Sequence, residues 1–285
     1  MNGLLHANIL FLRGRHKEAF DAFVKVARDY HDPVAANDLG YMYYRGIGVE
    51  RDYEKAKAYF LTGGYGDGGV GFYNLALIYL RGHGVESDFE KAIEYMKRSA
   101  EMGCADAQLY LGLAYILGCA FDPFEVECLS LIPFYTVIYK DRSAPLLEGD
   151  GYDPGLEDRR YEVIEADGDE AVRMYRNLVS KHGDDPYAER QCGAAEFMIA
   201  KAQIEGLGNS YNPKLGYNRM YKAAIYNESA EAARYLLENA ETAKGYSVNV
   251  EKIANLLQYG YFRPSIGNLG TMREHRIPPL LPKVN

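Results

Sequence analysis

The 285-residue chain has no tryptophan and only four cysteines, Cys104, Cys119, Cys128 and Cys192. Their spacing matches neither a zinc site nor a dense disulfide framework, so buried or half-buried thiols in a reducing compartment are expected. Basic charge is also short: 32 Lys and Arg stand against 40 Asp and Glu, a net charge of -8. An acidic chain repels phosphate backbones, and no run of Lys and Arg interleaved with aromatics offsets this, so nucleic acid is not expected as a partner. No apolar stretch approaches the ~20 residues of a membrane span. The N-terminal run MNGLLHANILFLRGR is interrupted by His6 and Asn8, and Arg13 and Arg15 follow it instead of preceding it. It does not read as a secretory signal, and a cytoplasmic location is expected.

Catalytic and cofactor signatures are missing too. There is no HExxH, GxSxG or SxxK pattern, and the six histidines show no pair at metal spacing. The glycine pairs Gly46/Gly48, Gly82/Gly84 and Gly206/Gly208 lack the preceding strand and the third glycine of a nucleotide loop. The run GGYGDGGVG, from Gly63 to Gly71, has no Lys behind it and reads as a turn, not a phosphate cradle. Asp167 and Asp169 belong to an acidic stretch with no EF-hand pattern, so a solvated loop is expected over a calcium site. No metal, no cofactor and no enzymatic activity are therefore expected.

What the chain has in quantity is tyrosine, 26 in all, and a phrase written twice. Residues 44–56 read YRGIGVERDYEKA and residues 80–92 read LRGHGVESDFEKA. Leu39, Leu75 and Leu111 stand 36 residues apart, as do Tyr43, Tyr79 and Tyr115, and Gly46, Gly82 and Gly118. A period of this size marks a repeat array, in which each unit is too small to bury its own apolar face and stacks on its neighbours. Ala35, Leu39 and Tyr43 fall on one face of a first helix. The glycines end it, because glycine takes the left-handed conformation without a Cβ penalty. Asp52 and Asp88 stand where an N-cap belongs, with Lys55 and Lys91 at N3. Ala56, Tyr59 and Phe60, then Ala92, Tyr95 and Met96, supply the apolar face of a second helix. Each unit is a helix hairpin.

These residues resemble the Sel1-like repeat of the tetratricopeptide superfamily, whose pattern is roughly A-x3-LG-x2-Y-x2-G-x-GV-x2-D-x2-KA followed by A-x2-G. Ala35, Leu39, Gly40, Tyr43, Gly46, Gly48, Val49, Asp52, Lys55 and Ala56 fit it, as do Gly71, Leu75, Tyr79, Gly82, Gly84, Val85, Asp88, Lys91, Ala92, Ala100 and Gly103. The match covers residues 33–118. Ser99 and Ala107 occupy the positions where some members carry helix-stapling cysteines, so the disulfide-stapled branch does not fit. The resemblance implies an all-α, right-handed α-solenoid that scaffolds protein complexes.

Four segments are expected. Residues 1–120 hold the repeats, with residues 4–30 as one further hairpin. Residues 121–168 form a divergent helix and an acidic insertion, after the third unit departs from the pattern at Gly118. Residues 169–260 hold degenerate repeats, and residues 261–285 an extended tail. Superposed on the tetratricopeptide pattern, the groove-facing positions are Asn37, Tyr41, Tyr44 and Arg45, then Tyr73, Leu77, Leu80 and Arg81. Tyr and Arg dominate interface hot spots, though Tyr can equally cover a core edge. In the third unit Leu109, Leu113, Ile116 and Leu117 fall at equivalent places and would form an apolar patch, for which the insertion is the expected cover. The expected function is an adaptor holding a peptide or protein partner in the groove. The alternative is an enzyme or cell-wall-fragment binder with its site built by residues 141–170.

Overall fold

In the computed structural model, residues 3–118, 120, 164–185, 188–226 and 229–259 are described, and every element among them is a helix. The divergent segment from residue 121, most of the acidic insertion, the tail from residue 261, Cys119 and Cys128 lie outside the described residues. The chain divides into two compact units, the first reaching Ala107 and the second beginning at Gln108.

The first unit opens with α1 (Gly3–Leu12) and α2 (His16–Tyr30), the expected extra hairpin. His31 turns the chain in a left-handed conformation, and Asp32 caps α3 (Pro33–Arg45) through the amides of Val34 and Ala35 at 3.0 Å. Pro33 suits the first helical position, where no amide partner is needed. Hairpins follow: α3 with α4 (Tyr53–Gly63), then α5 (Val70–Arg81) with α6 (Phe89–Met102). α7 (Ala105–Leu117) begins the next one.

One closure recurs in every repeat hairpin. Gly46 ends α3 at φ 69°, where its amide bonds Met42 O, and Ile47 N reaches the same carbonyl at 2.9 Å. This is the Schellman arrangement that satisfies the last carbonyls of a helix. Asp52 then does two things. Its carboxylate accepts from Lys55 N at 2.9 Å, and its own amide donates to Tyr43 O at 3.0 Å. Asp88 repeats both, accepting from Lys91 N at 2.9 Å and donating to Tyr79 O at 3.0 Å. The Lys of each pair completes a cation–aromatic stack: Lys55 lies 5.3 Å from the Tyr43 ring, which stacks on Tyr59, and Lys91 lies 4.6 Å from Tyr79, which stacks on Tyr95. The periodic tyrosines are thus seams between the two helices of a hairpin.

In the second unit the same closure corrects the sequence reading. The third repeat does not stop at Gly118. Asp167 caps α8 (Gly168–His182) through the amides of Asp169 and Glu170, and Asp167 N donates to Tyr115 O at 2.9 Å. Gly118 is left-handed at φ 66°, like Gly46 and Gly82. Helices α7 and α8 are one hairpin, with residues 119–166 spliced into its turn. Sequence reading lost the unit because the insertion separates partners by more than the repeat period. The next hairpin pairs α9 (Glu189–Glu205) with α10 (Pro213–Tyr226), closed by Asn212 N on Gln203 O at 2.8 Å. It is followed by α11 (Ala230–Glu238), the short α12 (Ala240–Gly245) and α13 (Val250–Gln258).

The helices of a hairpin meet closely because one register is kept small. A Cβ on Gly40 would lie 2.5 Å from the Phe60 ring, and one on Gly112 would lie 2.4 Å from Tyr175. Phe60 and Tyr175 are fully buried. The Tyr175 hydroxyl has no hydrogen-bond partner among the described residues, and burial drives its pKa well up.

Two outcomes are expected. Replacing residues 119–166 by His-Gly-Val-Glu-Ser, the sequence at 83–87, should preserve helix content and a cooperative melt by circular dichroism. Loss of α8 helicity would disprove the hairpin. Tyr175→Phe should raise stability by about 1 kcal/mol in urea titration, because it removes a buried hydroxyl that no described residue satisfies.

Candidate functional site

The expected contact positions do not share one environment. Asn37, Tyr73 and Leu77 have no accessible surface, and Tyr44 and Leu80 are nearly as enclosed at 6% and 4%. These five are interior residues in the folded chain. Spacing put them on the first-helix face, but α3 and α5 are enclosed on almost every side. Asn74 Nδ2 donates to Asn37 Oδ1 at 2.9 Å, so this pair ties α3 to α5. The helical spacing of the repeat gave no sign of this polar tie. Leu109 and Leu113 are buried as well, while Ile116 and Leu117 are half-buried, so the apolar patch is smaller than expected.

Three of the eight keep accessible surface. Arg45 is exposed, and Tyr41 and Arg81 are half-buried. Arg45 and Arg81 sit in the last turns of α3 and α5, where a cation also balances the helix dipole. Around Arg81 the structure assembles residues that sequence reading passed over. Arg81 Nη1 donates to the Tyr44 hydroxyl at 3.4 Å, and that hydroxyl lies 2.8 Å from His83 Nδ1. Tyr53 stacks on His83 at 5.2 Å between centroids and tilts against Tyr44 at 5.4 Å. Arg51 lies 5.5 Å from the centre of the Tyr53 ring. The signal was in the sequence: His83 replaces Ile47 in the second copy of the phrase, and Tyr53 aligns with Phe89. A polar substitution at a turn position was unreadable without knowing that the first turn stacks on the second.

The glycine-rich run is a built turn. Gly63 ends α4 and Gly69 precedes α5. Asp67 holds it together, accepting from Gly69 N at 3.0 Å and Gly71 N at 2.9 Å, and Ser99 Oγ donates to Gly69 O at 2.7 Å. A Cβ on Gly71 would lie 2.4 Å from Phe60 O, so the turn packs against its own repeat. Asp169, once a calcium candidate, bonds Asn209 through both its oxygens at 2.8 and 3.0 Å. No group of His, Cys, Asp and Glu able to hold a metal is found among the described residues.

The Sel1 repeat family profile matches residues 33–63 and 73–104, the two hairpins α3/α4 and α5/α6. Over those residues the chain is similar to the Sel1 repeat family. Among solved structures, a Sel1 repeat protein from Oxalobacter formigenes is 21% identical, covers 90% of this chain and 86% of its own, and has a TM-score of 0.58. At that identity the likeness concerns the fold. A second, the c5321 protective antigen of uropathogenic Escherichia coli strains with an SLR fold, is 19% identical, covers 82% of this chain and 48% of its own, and has a TM-score of 0.40. No curated protein matches the chain. Sel1 repeats generally act in protein–protein interaction and are typically non-catalytic. Among the described residues, no helix is long and apolar enough to cross a membrane.

Asp67 makes the turn pH-dependent. Burial pushes its carboxyl up to about 6, against the opposing effect of the Gly71 and Gly69 amides. A carboxyl raised on folding favours the protonated fold. Its contribution is full below the unfolded pKa near 4 and is lost as pH rises through about 6. Between pH 4 and pH 7 the wild type should therefore lose on the order of 3 kcal/mol relative to Asp67→Asn in parallel urea titrations. A constant difference across that range would contradict the assignment.

Proposed function

We propose that the protein is an adaptor that holds a peptide or protein partner against the first-helix ends of its Sel1 repeats. The partner lies along Tyr41, Arg45 and Arg81. The observation that supports this is the distribution of exposure. The middles of α3 and α5 are interior, and the side chains left accessible at their C-terminal ends include a tyrosine and two arginines. Such side chains supply large contact area and directional hydrogen bonds, the properties of interface hot spots. Asn37, Tyr44, Tyr73, Leu77 and Leu80 stand behind this rim and keep it rigid. The free thiols Cys104 and Cys192, both buried, accord with a cytoplasmic setting.

The test is a quantitative pull-down from native lysate with wild type and a Tyr41→Ala/Arg45→Glu/Arg81→Glu variant of unchanged helicity. The expected result is a partner retained by wild type and depleted at least about tenfold by the variant, since each hot-spot truncation costs more than ~1 kcal/mol. Identical partner lists would reject the rim as the working surface.

A further inference from the structure

Asn74 Nδ2 donates to Asn37 Oδ1 at 2.9 Å, and neither side chain has accessible surface. The bond crosses from α3 to α5 in their interior, between two repeats. Each asparagine stands four residues after the first of its helix, Pro33 in α3 and Val70 in α5, so the bond joins equal depths of the two helices. Its partners lie 37 residues apart, one more than the 36 that separate Leu39 from Leu75. A further polar contact across the same helices, Arg81 Nη1 to the Tyr44 hydroxyl at 3.4 Å, spans 37 residues as well. One register of α5 against α3 satisfies both. The apolar residues around them do not select it. Buried Leu39 and Met42 on α3, and Leu75 and Ile78 on α5, recur at steps of three, and helix faces interdigitate in ridges of that spacing, so a slide by one turn re-forms apolar contact. The same slide moves an atom by ~5.4 Å, beyond any hydrogen bond, and parts two buried carboxamides.

We propose that the Asn37–Asn74 pair is a register lock: it fixes how α5 stacks on α3, and through that the spacing of Tyr41, Arg45 and Arg81. A polar pair inside an apolar interface costs stability compared with apolar packing, and it confers specificity, because only one alignment leaves both groups bonded to each other. The lock belongs to this pair of repeats. One period on, the chain carries Tyr73 and Tyr110 in place of the two asparagines. A first helix paired with the wrong neighbour would bury an unmatched carboxamide, which disfavours mispairing among repeats of similar sequence. The lock stands without the adaptor reading above; only its consequence for the rim rests on that reading.

The test is a double-mutant cycle on the full chain with Asn37→Leu, Asn74→Leu and both together, since leucine branches at the same carbon as asparagine. Each single variant should lower the folding equilibrium constant in urea titration. The loss in the double should be at least about fivefold smaller than the product of the single losses, because neither carboxamide is left without the other. Amide NMR of the double should show more than one resonance for residues of α3 and α5 where wild type shows one, as apolar packing admits neighbouring registers. Single losses that simply multiply would overturn the proposal, and so would one set of resonances in the double. If the double does not fold, the Asn74 side-chain amide protons decide the matter. They should exchange with solvent at least about tenfold faster in Asn37→Leu than in wild type, and equal rates would reject the lock. A failed rim pull-down leaves all these outcomes unchanged, so the two readings fall separately.

Discussion

Each repeat hangs on a single backbone hydrogen bond. The amide of the residue that caps the second helix donates to the carbonyl three residues before the glycine that ends the first. It joins Asp52 to Tyr43, Asp88 to Tyr79, Asp167 to Tyr115 and Asn212 to Gln203, at 2.8 to 3.0 Å. A helix end leaves its last carbonyls unsatisfied, and the turn that follows leaves amides unsatisfied; this bond settles one of each. It also fixes the angle at which the second helix returns. The left-handed glycine before it and the side-chain cap after it serve the same geometry.

From that closure the rest of the packing follows. With the helices returned at a fixed angle, Tyr43 meets Tyr59 and Tyr79 meets Tyr95, and the N3 lysines fall over the rings. Gly40 and Gly112 leave room for Phe60 and Tyr175 in the same register. The closure is local enough to survive the insertion of residues 119–166, because both of its partners remain within one hairpin. An insertion at that turn costs loop-closure entropy, which grows slowly with length, and leaves the helix contacts intact.

Stacking places consecutive turns side by side, and polar and aromatic side chains of two repeats meet there. The helix middles are committed to the core and to the Asn37–Asn74 tie. The helix ends and turns escape burial, and they carry Arg45, Arg51, Arg81, Tyr53 and His83. In a repeat array such clusters form between neighbouring repeats, while the hairpin closure is settled within each one.

The sequence by itself determined the repeat period, the helical class, the glycine terminators and the aspartate caps. These are local: φ near +70° and an N-cap bond involve residues within a few positions of one another, and the residue types carry the physics. The adjacent-hairpin reading of residues 4–30 was legible for the same reason. Only the tertiary structure showed that α8 completes the third repeat across 48 intervening residues, since no local pattern links Tyr115 to Asp167. Only it separated Arg45, Tyr41 and Arg81 from the enclosed Asn37, Tyr44, Tyr73, Leu77 and Leu80. Helical spacing assigns a residue to a face, but whether that face is covered depends on neighbours far along the chain. The same holds for His83, whose meaning comes from Tyr44 and Tyr53 in the preceding repeat.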